Sequence, residues 1–479
     1  MTLVHLEIFF IRTRISVVRS SVIIIGLLLV AFGPATAAVR LPAIIGDNMV
    51  LQCDCPLPIW GWAEPGEEVV VAIDGNAKTT TANVNGEWIV RLQGMEASDE
   101  AVELTVTGSS GNMITVINIL IGEVWIGSGQ SNMEWALESA LDGQVISRGT
   151  HHPKIRLFHV PRTLAVAPVT NVSAKWVLCS PETAPRFSAV LYHFGLTLQA
   201  KVGVPVGLIE SAWGGSRIEP WTPPEGFASE SVLAADSKPQ HVAGSWLNPT
   251  TMYNGMIHAL VPFAIRGVLW YQGESNRGAG MHYYHQMKGL IQGWRHIWKQ
   301  GDFPFYFVQL APFNYAGNPL ALPLMWEAQT AVLSVPNTGM VVTTDISTID
   351  NIHPPNKRDV GKRLALWALA KDYGWEQLIH SGPLYDGYRI EGGGIRISFL
   401  HAGSGLLSND GKGLNWFAIA GDDREFVEAI VEIDGETLFV HSPEVPKPVA
   451  VRFAWHQNAQ PNFFNNEGLP ASPFRTDRW

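Results

Sequence analysis

Two side chains in this sequence have the types and settings that nucleophilic catalysis requires, Ser131 and His353. Ser131 lies within residues 129–133 (GQSNM), directly after the apolar stretch of residues 123–126 and before a helical pattern. A hydroxyl at the end of a buried strand, where a helix begins, is open to a substrate and can attack an acyl carbon once a base removes its proton. The alternative is that Ser131 only caps the helix.

His353 is the candidate base. Pro354 and Pro355 follow it and hold it in a loop before a helical pattern. A loop imidazole can turn toward a neighbouring hydroxyl, and Asp350, three residues earlier, can accept a hydrogen bond from the other ring nitrogen. Asp345 is a second carboxylate that could orient the ring.

Two further segments offer hydrogen-bond donors for an oxyanion. Gly214 and Gly215 follow the apolar stretch of residues 206–209, and adjacent glycines at a strand end let the backbone turn an N–H toward a ligand. Gln272 follows a second apolar stretch, and its amide could supply a side-chain donor. The alternatives are an ordinary tight turn at the glycines and an amide that satisfies a neighbouring loop at Gln272.

The pattern of apolar stretches, helical segments and turns changes twice along the chain. From residue 121 to about 373, continuous apolar runs alternate with helical patterns, which predicts an α/β domain with a parallel sheet covered on both faces. Before and after this region, β-branched stretches are separated by turn dipeptides, which predicts antiparallel modules. We therefore expect a β-sandwich-like module over residues 39–119, an α/β domain over 120–375 and a C-terminal β module over 376–479. The four motifs each follow a candidate parallel strand, so the sheet would collect them at one edge.

The first 37 residues have the pattern of an export signal. Three arginines precede an apolar run of residues 22–32, and small residues at Ala35 and Ala37 fit a cleavage site. The run is shorter than the roughly 20 residues that cross a bilayer. We therefore expect cleavage, no stable membrane span in the mature chain, and a periplasmic or extracellular location.

Composition narrows the function classes. The chain has 479 residues, of which 46% are hydrophobic and 16% charged, with a formal net charge of -10. No basic cluster interleaved with aromatic residues is present, so nucleic acid is not expected as a partner. His282 and His285 have helical spacing but no third ligand nearby in the sequence, so no metal and no other cofactor is expected. The oligomeric state is not indicated.

The four motifs together resemble the sialate O-acetylesterase-like branch of the SGNH hydrolases. The resemblance rests on residues 129–133, on Gly214-Gly215-Ser216, on residues 270–276 (WYQGESN) and on Asp350-x-x-His353-Pro354. It implies a flavodoxin-like α/β domain flanked by β modules, acting on acetyl esters of sugars without a metal. The predicted partner is an O-acetylated carbohydrate, foremost an O-acetylated sialic acid.

The resemblance also implies roles for particular residues. Ser131 would be the nucleophile, His353 the general base and Asp350 its orienting partner. The oxyanion hole would comprise the backbone N–H groups of Ser131 and of Gly214 or Gly215, with the Gln272 side chain. Three residues are candidate substrate contacts: Asn132, Arg217 and Glu274. The alternatives are a structural ion pair at Arg217 and a buried structural carboxylate at Glu274. The alternatives are an acetylxylan or other carbohydrate acetylesterase and a non-catalytic carbohydrate-binding protein.

Overall fold

The structure is a computed structural model that describes residues 39–479, and its first part is built from seven strands. They are β1 (Val50–Gln52), β2 (Leu57–Trp62), β3 (Glu68–Ile73), β4 (Asn76–Thr81), β5 (Glu87–Leu92), β6 (Ser98–Gly108) and β7 (Met113–Gly129). Buried and exposed residues alternate along β3 and β5, as expected for strands with one face on a core. β2 and β5 form an antiparallel ribbon. β3 pairs with β4 on one side and with β6 on the other, and β6 pairs with β7.

The middle part is a sheet covered by helices. Its elements are α1 (Ser131–Glu134), α2 (Gly143–Arg148), β8 (His152–His159), β9 (Trp176–Cys179), α3 (Ala189–Val202), β10 (Val206–Ala212), α4 (Pro224–Ser229), β11 (Gly267–Tyr271), α5 (His282–Trp298), β12 (Phe305–Val308), α6 (Ala321–Ala331), β13 (Thr338–Val341) and α7 (Lys357–Asp372). The strand order is β13-β12-β11-β7-β10-β8-β9, and all neighbours are parallel except β8 and β9. β10, β11 and β12 are buried at every residue, because helices cover both faces.

β7 joins the first part to the second. Its first residues pair antiparallel with β6, and residues 123–129 lie at the centre of the parallel sheet between β10 and β11. The predicted boundary at residues 119 and 120 therefore falls inside one continuous strand. A single hydrophobic core runs through both parts, from Val39 to Leu384.

The last part is a β module with its own core. Its strands are β14 (Leu384–Glu391), β15 (Gly394–Leu400), β16 (Leu406–Ser408), β17 (Phe417–Ala420), β18 (Phe426–Glu428), β19 (Ile430–Asp434), β20 (Thr437–His441), β21 (Ala450–Phe453), β22 (Phe463–Asn465) and β23 (Phe474–Arg475). All pairings among these strands are antiparallel. The buried apolar residues of this module, from Ile395 to Phe474, form a second cluster. An ion pair between Arg475 and Glu327 ties the module to α6.

The predicted fold class, an α/β domain with a parallel sheet and antiparallel β regions on both sides, is confirmed. The export signal predicted at residues 1–37 lies outside the described residues. Within residues 39–479, no helix combines the length and apolar character needed to span a bilayer.

Candidate active site

The turn that presents Ser131 depends on Gly129. Gly129 ends β7 with a φ of +134°, and a Cβ at this position would lie 2.2 Å from the carbonyl oxygen of Tyr271. Only glycine lets β7 approach β11 so closely at this point. The Gln130 N–H donates to the same oxygen at 3.0 Å, and Ser131 follows as the first residue of α1. Ser131 is therefore not the residue that caps this helix.

The structure brings Ser131 and His353 together across 222 residues of sequence. The Ser131 Oγ lies 2.8 Å from the His353 Nε2, within hydrogen-bond distance. The imidazole also stacks on the indole of Trp135, with ring centroids 4.6 Å apart and planes 21° apart. The backbone N–H of His353 donates to the Asn351 Oδ1 at 2.9 Å and fixes the loop. A hydroxyl and a base in this geometry can carry out acyl transfer.

The His353 imidazole is neutral at neutral pH. Burial lowers its pKa below the ordinary value of 6.5, and the positive charge of Lys357 lowers it further. A general base must be unprotonated, so activity falls only when the pH drops through this depressed pKa. We expect kcat/KM for p-nitrophenyl acetate to be flat above neutral pH, with an acid-side midpoint below 6.5. A pH–rate profile with a midpoint above that value would contradict the assignment.

The structure does not bring Asp350 to His353, contrary to the predicted orienting role. Asp350 is exposed, and no hydrogen bond within residues 39–479 joins its carboxylate to the imidazole. The loop from Thr348 to Asn351 turns back on itself, and the Asn351 side chain contacts the His353 backbone instead. Asp345, the second candidate, accepts two hydrogen bonds from the Arg363 guanidinium at 2.8 and 2.5 Å. The ring is positioned by Trp135 and the loop.

This arrangement makes a direct prediction for Asp350→Asn. In a serine triad, the same change at the orienting aspartate costs about 10⁴-fold in kcat. Here we expect kcat/KM to stay within about twofold of the native value, because an exposed carboxylate without a partner is removed. Steady-state kinetics on p-nitrophenyl acetate measure this. A loss of a hundredfold or more would show that the loop rearranges and that Asp350 does orient His353.

The backbone around Ser131 offers two free donors. Within residues 39–479, the N–H groups of Ser131 and Gly215 donate to no other group. The Gly214 N–H, by contrast, donates to the Glu134 Oε2 at 2.8 Å. Gly214 still lies against the hydroxyl, because a Cβ there would be 3.2 Å from the Ser131 Cβ. Of the two glycines predicted as oxyanion donors, Gly215 has the available N–H.

The Gln272 side chain links neighbouring loops through hydrogen bonds, which differs from its predicted role as an oxyanion donor. It is fully buried, and its Nε2 donates to the Gln130 Oε1 at 3.2 Å, the Ser216 oxygen at 3.1 Å and the Asn276 Oδ1 at 2.8 Å. Its Oε1 accepts from the Tyr283 hydroxyl at 2.7 Å. The amide therefore links the loops after three neighbouring strands and is not free to bind a substrate.

Asn132 and Glu274 are also buried, and they belong to a hydrogen-bond network next to Ser131. The Asn132 Nδ2 donates to the Glu274 Oε1 and, at 3.0 Å, to the Ile352 oxygen. The Asn132 Oδ1 accepts from the Lys357 ammonium. Burial lowers the pKa of Lys357 to about 7, opposed by the charge of Glu274, and burial raises the pKa of Glu274. These side chains hold the loop of His353 against α1, and neither Asn132 nor Glu274 is placed to contact a substrate.

Arg217 differs from the other predicted substrate contacts because it is exposed. Its Nη2 lies 2.6 Å from the Glu219 Oε1, while 47% of its side chain remains accessible. It lines a small polar cavity of about 160 Å³ with Asp236 and His241. No group of three or more His, Cys, Asp or Glu side chains that could hold a metal ion occurs within residues 39–479. The two helical histidines, His282 and His285, instead contact carboxylates.

Sequence reasoning missed two residues that shape the site, Trp135 and Lys357. Both lie four residues after a predicted functional residue, Ser131 and His353 respectively. Trp135 directly follows α1 and Lys357 is the first residue of α7, so their closeness in sequence to the two motifs was the available signal. Nothing in the local pattern indicated that the lysine is buried, because a charged residue at the start of a helix is normally exposed.

Comparison with known proteins agrees with this geometry. A sequence model described as a carbohydrate esterase, sialic acid-specific acetylesterase, matches residues 121–370, more than half of the chain. The chain belongs to this family. Members similar to it include the sialate O-acetylesterase of Homo sapiens, 29% identical over 399 residues that cover 76% of each chain. The Mus musculus sialate O-acetylesterase is 30% identical over 411 residues, covering 72% of this chain and 75% of its own.

A solved structure of a carbohydrate acetylesterase from Xanthomonas citri is also similar to this esterase. The two chains are 38% identical, with a TM-score of 0.86 over 92% of this chain and 100% of the other. The predicted family and the predicted class of enzyme, a carboxylic ester hydrolase acting on carbohydrate, are both confirmed.

Proposed function

We propose that this esterase removes O-acetyl groups from sugars through an acetyl-enzyme intermediate formed on Ser131. The observation that carries the proposal is the 2.8 Å contact between the Ser131 Oγ and the His353 Nε2 at the carboxyl edge of the parallel sheet. Family membership supports the ester chemistry, and the depressed pKa of His353 supports its role as a base.

The steps follow from the geometry. His353 takes the Ser131 proton while the Oγ forms a bond to the acetyl carbon, and the carbonyl oxygen becomes an oxyanion. The N–H groups of Ser131 and Gly215 are the donors available to it, and losing one such donor typically costs about 10²- to 10³-fold. When the tetrahedral adduct collapses, the bond to the sugar oxygen breaks and His353 returns the proton to that oxygen. Water, deprotonated by the same imidazole, then releases acetate and restores the serine.

The substrate that we propose first is an O-acetylated sialic acid. Curated relatives are named sialate O-acetylesterases. Arg217 follows Gly215 closely in the chain and keeps about half of its side chain accessible, so a sugar carboxylate could share it with Glu219.

A neutral acetylated polysaccharide such as xylan is the second candidate, and one observation favours it. Arg162 and Arg217, the guanidinium groups near the Ser131 loops, are each already paired with a glutamate, Glu134 and Glu219. The positive charge that would attract a carboxylate is thus largely balanced.

The experiment compares kcat/KM for acetate release from an O-acetylated sialic acid, from the methyl ester of the same sugar acid and from acetylated xylan. If the carboxylate is recognised, we expect the free acid to exceed its methyl ester by about 10-fold, the size of one charge-assisted hydrogen bond. Equal rates for acid and ester, with faster release from xylan, would replace the first candidate by the second. No release from any of the three would contradict both.

A further inference from the structure

A second cavity lies between the N-terminal strands and the α/β part. Its volume is about 440 Å³, within the range of small-molecule sites. Trp60, Trp62 and Ile89 line one side, and Thr170, His258 and Pro262 line the other. None of these residues belongs to the site around Ser131.

One wall of this cavity is an aromatic face. In the β2–β5 ribbon, Trp60 pairs with Ile89 and Trp62 pairs with Glu87. Because side chains of paired residues share a face and alternate along each strand, all four project from the same side of the ribbon. Both indoles are only partly buried, so part of each remains accessible. Two tryptophans at i and i+2 present a flat apolar surface about one strand repeat long.

The remaining lining combines apolar residues, such as Val261 and Pro262, with polar residues of which Glu87 is the charged one. The hydroxyls of Thr80 and Thr81 have no hydrogen-bond partner among residues 39–479. The His258 Nδ1 bonds to the Val169 oxygen at 2.9 Å, which leaves its Nε2 for another partner. Asn83 and Glu87 contact each other at the rim. The cavity therefore combines an aromatic floor with unused hydroxyl and imidazole groups.

We propose that this cavity binds a neutral pyranose unit of a glycan, as a second carbohydrate site. An indole face packs on the C–H face of a sugar ring, while the hydroxyls at the ring edge need polar partners. His258 and one of the two threonine hydroxyls can serve, since the consecutive residues Thr80 and Thr81 of β4 point to opposite faces. Glu87 is the charged residue of the lining, and the Arg40 guanidinium lies outside the lining, 5.8 Å from the centroid of the Trp62 ring, so we assign the cavity to a neutral sugar. A proline-rich peptide would also stack on tryptophan, but it would leave the unpaired hydroxyls without partners.

The cavity lies away from Ser131, where the ester would be cleaved. Pro262 precedes the first residue of β11, whereas Ser131 follows the last residue of β7. β7 and β11 are parallel, so the two sites lie toward opposite ends of the strands: the cavity at the amino ends and Ser131 at the carboxyl ends. The second site would hold a stretch of glycan away from the acetyl group that is removed, and its ligand need not be acetylated. The proposal stands apart from the chemistry of Ser131.

The test is calorimetric titration of the full chain with unacetylated xylohexaose and cellohexaose. We expect saturable binding of at least one of them, weakened about 10-fold or more by Trp62→Ala and largely retained by Trp62→Phe, which keeps an aromatic ring. Trp375→Ala is the control, because Trp375 is an accessible tryptophan, 40% exposed, that does not line the cavity. Hydrolysis of p-nitrophenyl acetate should be unchanged in all three variants, which shows that they are folded.

Three results would overturn the proposal. They are no binding of either sugar, binding that Trp62→Ala leaves unchanged, and binding of a polyproline peptide in place of the sugars. Loss of activity in Ser131→Ala with intact sugar binding would support it, since the two sites would then be independent.

Discussion

Replacing Ser131 by alanine is expected to lower kcat on p-nitrophenyl acetate by about 10⁴- to 10⁶-fold. The hydroxyl is the hydrogen-bond partner of the His353 Nε2 within residues 39–479, and without it no acetyl-enzyme can form. Folding should be preserved, because the side chain is only partly buried and makes a single side-chain hydrogen bond. Steady-state kinetics and a thermal melt measure the two effects separately.

Ser128→Ala is the matched control for this variant. Ser128 lies three residues earlier on β7, fully buried, and its hydroxyl has no hydrogen-bond partner within residues 39–479. Its removal should leave kcat within about twofold, as for substitutions that break no interaction. Because residues that act as a unit are not additive, Ser131→Ala with His353→Ala should be no slower than either single variant. Full activity in Ser131→Ala would end the proposed mechanism.

Replacing Lys357 by methionine is expected to impair both activity and stability. The ammonium is 1% exposed and donates to the Asn132 Oδ1, so its loss leaves a buried acceptor unpaired, at a cost of about 1–3 kcal/mol in the free energy of unfolding. Asn132 is the neighbour of Ser131, and a displacement of about 1 Å at the reacting groups can cost 10²-fold in rate. We expect kcat/KM to fall by about 10- to 100-fold.

The same variant has a pH signature that a purely structural role would not produce. The charge of Lys357 lowers the pKa of His353, so removing it raises that pKa. The acid side of the kcat/KM profile should therefore move to higher pH. Lys362→Met, at an exposed position on the same helix, serves as the control and should change neither the profile nor the melting temperature. An unshifted profile in Lys357→Met would contradict the claim that the charge of Lys357 lowers the pKa of His353.

The fold and the proximity of Ser131 to His353 could be predicted from the sequence, because both follow from the order of strands and helices. Fully apolar strands alternating with helices leave little choice but a parallel sheet, and its geometry gathers the loops at one edge. The prediction needed only the order of strands and motifs, and not the torsion angles of any loop. Ser131 and His353 accordingly meet at that edge.

The roles of Asp350 and Gln272 could not be settled in that way. Whether a carboxylate three residues before His353 faces the ring depends on individual loop torsions, and here the turn directs Asn351 to the backbone. Gln272 was identified by position, but two of its partners, Gln130 and Ser216, lie on loops more than 50 residues away in sequence, so its role in linking these loops has no local signal. The burial of Lys357 likewise arises from tertiary packing.

The continuity of β7 limits how this protein can be divided. The same 17 residues complete an antiparallel sheet at one end and deliver the Ser131 hydroxyl at the other. Trimming the chain just before residue 121 would strip the first strands from a shared apolar interior and shorten the central strand of the catalytic half. The C-terminal β module has an apolar cluster of its own, whereas the N-terminal strands share theirs with the catalytic half and cannot be separated from it.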